Sequence, residues 1–192
     1  MLNLTYLENI AIAGRTGSGK SALIHKMIKD FQKKFKPEER QLVLIDTKCV
    51  ELSEFNGVAN IYNHIYHSER EVLDMFTEFI NNVDDIPKTI IIDEISDLMY
   101  EDQFRVTKFI EYCKMHSRLN VIFASQNTDD SLFTPQILKF TDHIFCFDTV
   151  LFGDKKYFLG DDFNTQLGQG EFIFFNKHDG TKTKHSIDEI EV

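Results

Sequence analysis

The 192-residue chain predicts an α/β fold with a central, mostly parallel sheet flanked by helices, and three observations carry that prediction. Short apolar runs of strand length recur along it, and apolar residues at helical spacing fill the stretches between them. The first such run passes directly into a glycine-rich loop and then a helix, the connection of a βα unit. Strands that alternate with helices pair in parallel through right-handed crossovers, so both faces of the sheet are expected to be covered.

Residues 6–13 are the first strand-like stretch. Ile24, Met27, Ile28, Phe31 and Phe35 then recur at helical spacing until Pro37 stops the pattern. Residues 41–46 (Q-L-V-L-I-D) are nearly all apolar, as a strand buried on both faces requires. Ser68 and Glu71 have capping-box spacing, ahead of Val72, Leu73, Phe76, Phe79, Ile80 and Val83 on one helical face. Residues 88–93 predict another buried strand, and Val106, Phe109, Ile110 and Cys113 a further helix. Residues 119–124 and 143–148 read as two more strands. Residues 171–176 and 181–187 flank Asp179-Gly180, a hairpin signal, and this C-terminal β-hairpin is expected to pad an edge of the same sheet. No internal repeat or long linker divides the chain. Residues 1–192 are therefore expected to form a single domain, with the hairpin taking up about residues 171–192.

Composition narrows the class. A hydrophobic fraction of 42% with 18 phenylalanines describes a folded protein with a full core. No apolar run approaches the roughly 20 residues that cross a bilayer, and no secretory leader precedes Asn3. A cytoplasmic protein without a membrane segment is the expectation. Cys49, Cys113 and Cys146 lie in apolar contexts without C-x-x-C spacing, which reads as buried free thiols and argues against a zinc site. The net charge of −10 excludes a protein whose whole surface grips nucleic acid, but not a local basic patch within an oligomer. The lysines between residues 26 and 36 read as the solvated face of the first helix.

The chemistry starts at residues 14–21, G-R-T-G-S-G-K-S, which fit the phosphate-loop spacing and sit between a strand and a helix. Glycines let consecutive N–H groups point at a polyphosphate, and the helix N-terminus adds positive potential there. Gly14, Arg15, Thr16, Gly17, Ser18, Gly19, Lys20 and Ser21 are the candidate nucleotide-binding residues. Lys20 supplies charge for the β- and γ-phosphates, and the Ser21 hydroxyl is a candidate Mg2+ ligand. A glycine-rich turn capping an ordinary helix is the alternative, and the coincidence of strand, loop, Lys-Ser and helix argues against it. ATP with Mg2+ is the expected ligand.

Residues 89–94 (T-I-I-I-D-E) end a buried strand on two acids. At the C-terminal edge of an open parallel sheet they would lie beside the phosphate loop. Asp93 then suits the metal, and Glu94 a proton from attacking water. By itself such a pair can be a plain strand end. Residues 121–126 (V-I-F-A-S-Q) close a third strand on Gln126, which is placed either to meet a γ-phosphate or as a solvated loop residue.

These motifs, with L-I-D-T-K-C-V-E-L-S-E-F-N-G-V at residues 44–58, I-I-D-E-I-S-D-L-M at 91–99, F-A-S-Q at 123–126 and L-G-Q-G-E-F-I-F-F at 167–175, resemble the motor domain of FtsK/SpoIIIE DNA translocases. The resemblance spans most of residues 8–176. It implies a RecA-like ATPase core that assembles as a ring, usually a hexamer, and moves double-stranded DNA through its pore. It also implies that Lys20 and Ser21 hold phosphate and magnesium, Asp93 the metal, Glu94 the water, and that Gln126 senses the γ-phosphate. Thr47 stands where the family commonly has Pro, a change read as neutral. Asn127-Thr128 and Asp129-Asp130 stand where it has Arg-Pro after the sensor Gln, and Lys139 is the candidate for its DNA-binding basic position. Met115 replaces its arginine ahead of the residue 121 strand, so Arg118, with Arg105 behind it, is the candidate finger on a neighbour's nucleotide; either is otherwise a plain surface arginine. The expectation is a minimal motor for DNA packaging or conjugative transfer, its residue 127–135 loop facing the pore. A nucleotide-gated protein that recruits a partner and moves nothing is the rival reading.

Overall fold

The computed structural model describes residues 8–82, 85–126, 135–149, 158–159 and 165–190. Among them β1 (Ile10–Ala13), β2 (Gln41–Ile45), β3 (Lys88–Ile92), β4 (Leu119–Ser125), β5 (His143–Cys146), β6 (Glu171–Asn176) and β7 (Lys182–Ser186) form one sheet, in the order β2-β3-β4-β1-β5-β6-β7. Strands β1 to β5 are parallel, and β6 and β7 add antiparallel at the edge, as the hairpin signal predicts. The helices are α1 (Lys20–Lys34), α2 (Glu69–Asn81), α3 (Ile95–Met115) and the short α4 (Pro135–Lys139).

Alternation along each strand builds two apolar layers. Ile10, Ile12, Leu42, Leu44, Ile91 and Ile122 face Leu23, Met27 and Phe31 of α1. Ala11, Val43, Ile90, Ile92, Val121 and Phe123 face α2 and α3 on the other side, where Phe76 stacks on Phe109 with centroids 3.8 Å apart. Residues 60–66 close the exposed edge of β2 by parallel bridges at Ile61 and Tyr66, which protects it from pairing with another chain. None of the described helices is long and apolar enough to cross a membrane.

Several local expectations need correction. Asp46, Asp93 and residues 147–148 lie just past the ends of β2, β3 and β5, which are shorter than the apolar runs predict. Ser68 is the N-cap of α2 but its side chain makes no capping bond; Glu71 is instead 2.9 Å from His64. Helix α3 starts at Ile95, long before the stripe at Val106, and breaks at Asp102 (φ −154°, ψ 84°). The Asp102 carboxylate accepts from the Arg105 N–H at 3.0 Å and so caps the second segment. Cys49 is exposed, whereas Cys113 and Cys146 are buried. The first strand's residues 6–7, Val83 and the 127–134 loop lie outside the described residues.

Arg40 departs from the solvated run of basic residues before it. Its buried guanidinium donates to Asn120 Oδ1 at 2.5 Å, Thr89 Oγ1 at 2.9 Å and the Lys88 carbonyl at 3.2 Å, joining the entry ends of β2, β3 and β4. Burial pulls its pKa down to about 10, so it still carries its charge at neutral pH. Arg40→Ala is expected to cost about 3 kcal/mol, because it removes charge-assisted bonds and leaves buried acceptors under-satisfied. Urea unfolding checks this, and a loss under about 0.5 kcal/mol, the size of an ordinary surface change, contradicts it.

Candidate active site

Parallel pairing brings the ends of β1, β2, β3 and β4 to one edge of the sheet. The phosphate loop leaves β1 there, held by the Gly14 N–H donating to the Ser125 carbonyl at 3.3 Å. Gly17 (φ 77°) and Gly19 (φ 120°) take left-handed conformations that a side chain rarely adopts. A Cβ at Gly19 would also stand 2.9 Å from Ile187 Cδ1 and 3.1 Å from Gly170 Cα, so the loop packs against the C-terminal hairpin. The Gly170 N–H donates to the Ser18 carbonyl at 2.9 Å. Lys20 opens α1 and folds its ammonium back onto the Gly14 and Arg15 carbonyls at 2.8 and 3.2 Å. Burial lowers its pKa, with the Glu94 and Asp93 carboxylates opposing. The Ser18 hydroxyl is buried without a partner among the described residues. These are features of a cradle for an anion, and ATP fits them.

Two adjoining cavities line this edge, of about 390 Å³ and about 210 Å³. Both include Thr16 and Gln126; the larger adds Lys48, Glu94, Ser96 and Tyr100, and the smaller Lys20, Ser21 and Glu51. Their size suits a small polar ligand.

Glu94 is buried and held on both carboxylate oxygens. Oε1 accepts from the Ser96 hydroxyl at 2.5 Å and the Ser125 hydroxyl at 2.7 Å. Oε2 accepts from the Gln126 N–H at 3.0 Å and faces Lys48 Nζ at 3.6 Å. The Gln126 side-chain oxygen in turn accepts from the Thr16 hydroxyl at 2.7 Å, which links the acid to the phosphate loop.

Burial, with the nearby carboxylates of Asp46, Glu51 and Glu94, pushes the Asp93 carboxyl from 3.8 up to about 6 despite Lys20. Asp46 is fully buried at the end of β2. Its Oδ2 accepts from the Glu51 and Leu52 N–H groups at 3.0 and 2.9 Å, and its Oδ1 has no partner among the described residues. Hard oxygen donors at Ser21 and Asp93, in so concentrated a negative field, fit Mg2+.

The fold brings the loop, Asp93, Glu94 and Gln126, the candidates named from the sequence, to one edge. Asp46, Lys48, Ser96 and the hairpin contact at Gly170, which the sequence motifs do not single out, lie at the same edge. Asp46 carries a readable signal, since it ends an apolar strand just as Asp93 does. Thr47, read as neutral, donates its hydroxyl to Asp97 Oδ2 at 2.8 Å and ties this loop to α3, a bond a proline could not make. Arg118 precedes β4 at the opposite edge, about 25 Å of strand from Gln126, and pairs with Asp85 at 2.8 Å. It therefore lies away from the nucleotide loop of its own chain. Arg105 pairs with Asp102 at 2.8 Å. Lys139 ends α4 and is exposed, also toward the opposite edge.

Comparison with known proteins agrees with this architecture. A profile of the FtsK/SpoIIIE family matches residues 1–121. The DNA translocase FtsK of Caldanaerobacter subterraneus subsp. tengcongensis is 27% identical over 160 residues, covering 69% of this chain but 23% of that protein. This chain thus spans under a quarter of that relative. The pCW3 conjugation coupling protein TcpA, in its monomer form with ATPγS, superposes with a TM-score of 0.76 at 16% identity, covering 94% of this chain and 60% of that one. The genome packaging NTPase B204 from Sulfolobus turreted icosahedral virus 2, in complex with AMPPCP, gives 0.74 at 18% identity, covering 95% and 98%. These two likenesses establish the fold, a RecA-like α/β core with a P-loop. The profile takes in the phosphate loop, Asp93 and Glu94 and well over half of the residues, and the chain belongs to the FtsK/SpoIIIE family.

Proposed function

We propose that this chain is an ATP-hydrolysing, Mg2+-dependent motor that translocates double-stranded DNA. In this reading residues 1–192 act as a single RecA-like domain within a homo-oligomeric, hexameric ring, in DNA packaging or conjugative transfer. The observation that carries it is the hydrogen-bonded path from Thr16 through Gln126 to Glu94, which makes the phosphate loop and the acid one unit. Family membership and neighbours named for translocation, conjugation and genome packaging support the choice of DNA as cargo.

The loop N–H groups and Lys20 would bind and orient the phosphates, Ser21 and Asp93 would hold the metal, and Glu94 would accept the proton of the attacking water. When bound, Mg2+ neutralises charge that develops on the phosphates. Gln126 meets the γ-phosphate from the end of β4. Tyr100, which lines the larger cavity, is 66% exposed, and Phe104, four residues on in α3, is 72% exposed, apolar surface that suits a neighbouring subunit. Arg118 is the finger offered to the neighbour's nucleotide. Its pairing with the highly exposed Asp85 is weak enough for a polyphosphate to displace. Lys139 is the DNA contact.

Lys20→Ala is expected to abolish ATP binding. Glu94→Gln is expected to keep binding while slowing turnover by about 10²- to 10⁴-fold. Equal hydrolysis by wild type and Glu94→Gln removes Glu94 from the mechanism.

Asp93 sets a pH dependence. Its folded pKa of about 6 exceeds the unfolded 3.8, so the folded state binds the proton more tightly. Stability from this group is fully present below about pH 4 and is lost as pH rises through about 6. Metal binding needs the deprotonated form, so Mg2+-dependent ATP affinity is expected to fall about tenfold per unit below pH 6. Asp93→Asn is expected to raise the melting temperature of the nucleotide-free protein at pH 7.5 while removing Mg2+ dependence. A lower melting temperature contradicts the charge assignment.

Duplex DNA is expected to stimulate the ATPase, with stimulation falling steeply as salt rises through counterion release. A response flat with DNA and salt favours the nucleotide-gated recruiter, the reading that the −10 charge favours. Stronger stimulation by single strands transfers the cargo assignment to them.

A further inference from the structure

At the sheet edge opposite the phosphate loop, three residues remote in sequence converge. Glu8 precedes β1, His143 opens β5, and His178 sits in the turn between β6 and β7. Glu8 Oε2 lies 2.7 Å from His143 Nε2, and Glu8 Oε1 lies 3.1 Å from His178 Nε2. The three donor atoms all fall within 4.8 Å of one another. The two imidazoles meet edge to face at 5.6 Å, and Phe174 packs on the His143 ring at 5.1 Å. His143 Nδ1 is buried with no partner among the described residues, so Nε2 is the nitrogen this ring presents to the cluster.

We propose that Glu8, His143 and His178 form a zinc site that fastens the C-terminal hairpin to the parallel part of the sheet. Two imidazole nitrogens and one carboxylate oxygen are a donor set for zinc, whereas Mg2+ and Ca2+ take oxygen cages. Bonds of roughly 2.0–2.2 Å in a tetrahedral site put ligand atoms about 3.3–3.5 Å apart. The 2.7 and 3.1 Å separations fall short of that by under an ångström and run to different oxygens of Glu8, so one oxygen serves both rings only after the carboxylate turns, a change that side-chain rotation supplies. Asp142 Oδ1 is also 3.4 Å from His178 Nε2, but Lys114 and the Asn9 N–H already hold that carboxylate, which leaves the fourth position to water. Cysteine spacing could not have revealed this site, since it uses no cysteine and joins both ends of the chain.

The test is calorimetric titration of the full chain, stripped with chelator and kept in excess Mg2+, with ZnCl2. Wild type is expected to bind one equivalent. His178→Ala, which removes a ring 56% exposed, and Glu8→Gln are expected to weaken binding by at least about tenfold while keeping cooperative melting and wild-type ATP affinity. Co2+ is expected to give the visible band of a tetrahedral site in wild type and to lose it in His178→Ala. The proposal is overturned by no zinc uptake in wild type, by undiminished uptake in both variants, or by uptake lost in Asp93→Asn instead, which would assign the metal to the nucleotide loop.

Discussion

At the end of β4, Gln126 gives its N–H to Glu94 and its side-chain oxygen to Thr16, so a single residue holds both halves of the site. The strand order makes this possible, because β4 lies between β1, which feeds the phosphate loop, and β3, which ends in the acids. Glu94 cannot turn freely, since Ser96 from α3 and Ser125 from β4 hold its other oxygen. Its orientation is thus set before any ligand arrives, which is the form of preorganisation that keeps reorganisation cost out of the chemical step. The same bonds also make the arrangement cooperative. A ligand that draws Thr16 or Gln126 toward itself must change the donors around Glu94, so phosphate contact and acid geometry cannot vary independently.

The acids themselves work against the fold. Asp46, Asp93 and Glu94 are all buried at one edge, with Glu51 near, and Lys20 and Lys48 are the cations facing them. Burial disfavours each charge and like charges at low dielectric repel; the raised Asp93 pKa comes from burial first and from these neighbours second. What tolerates the repulsion is the sheet beneath, whose strands are buried on both faces and fix where the acids sit. The apolar runs therefore do more than fill a core. They hold carboxylates where only a cation relieves them, a stability–function trade of a familiar kind.

The fold was legible because its signals are local: apolar runs for buried strands, 3.6-residue spacing for α1 and α2, and Asp179-Gly180 for the hairpin. Residues 14–21 and 89–94 were legible for the same reason, since each motif is contiguous and each ends a strand. The remainder depended on pairings that sequence order conceals. Ser96 and Ser125 meet only because β3 and β4 are neighbours, and nothing in the sequence places Arg40 against Asn120 across three strand entries. The stripe from Val106 marks only the second half of helix α3, because its first turns hold Ser96 and Asp97 against the site and the break at Asp102 interrupts the pattern. The capping box at Ser68 failed because Glu71 had a competing partner in His64.

The hairpin runs between the two edges, and its role follows from what each end touches. At the nucleotide edge Gly19 packs on Gly170 and Ile187 so closely that not even a methyl group fits between them. Lys26 of α1 also donates to the Ile187 carbonyl at 3.0 Å. Close-packed contacts of this kind do not compress, so a shift of the phosphate loop has to be shared by the hairpin. Strand β6 then runs over about 20 Å of hydrogen-bonded ladder to the turn holding His178. There Lys177 reaches the Leu138 carbonyl beside Lys139, and the opposite edge also carries Arg118. The glycine-rich loop and the surfaces that face away from it are thus joined through an element that neither motif would have singled out.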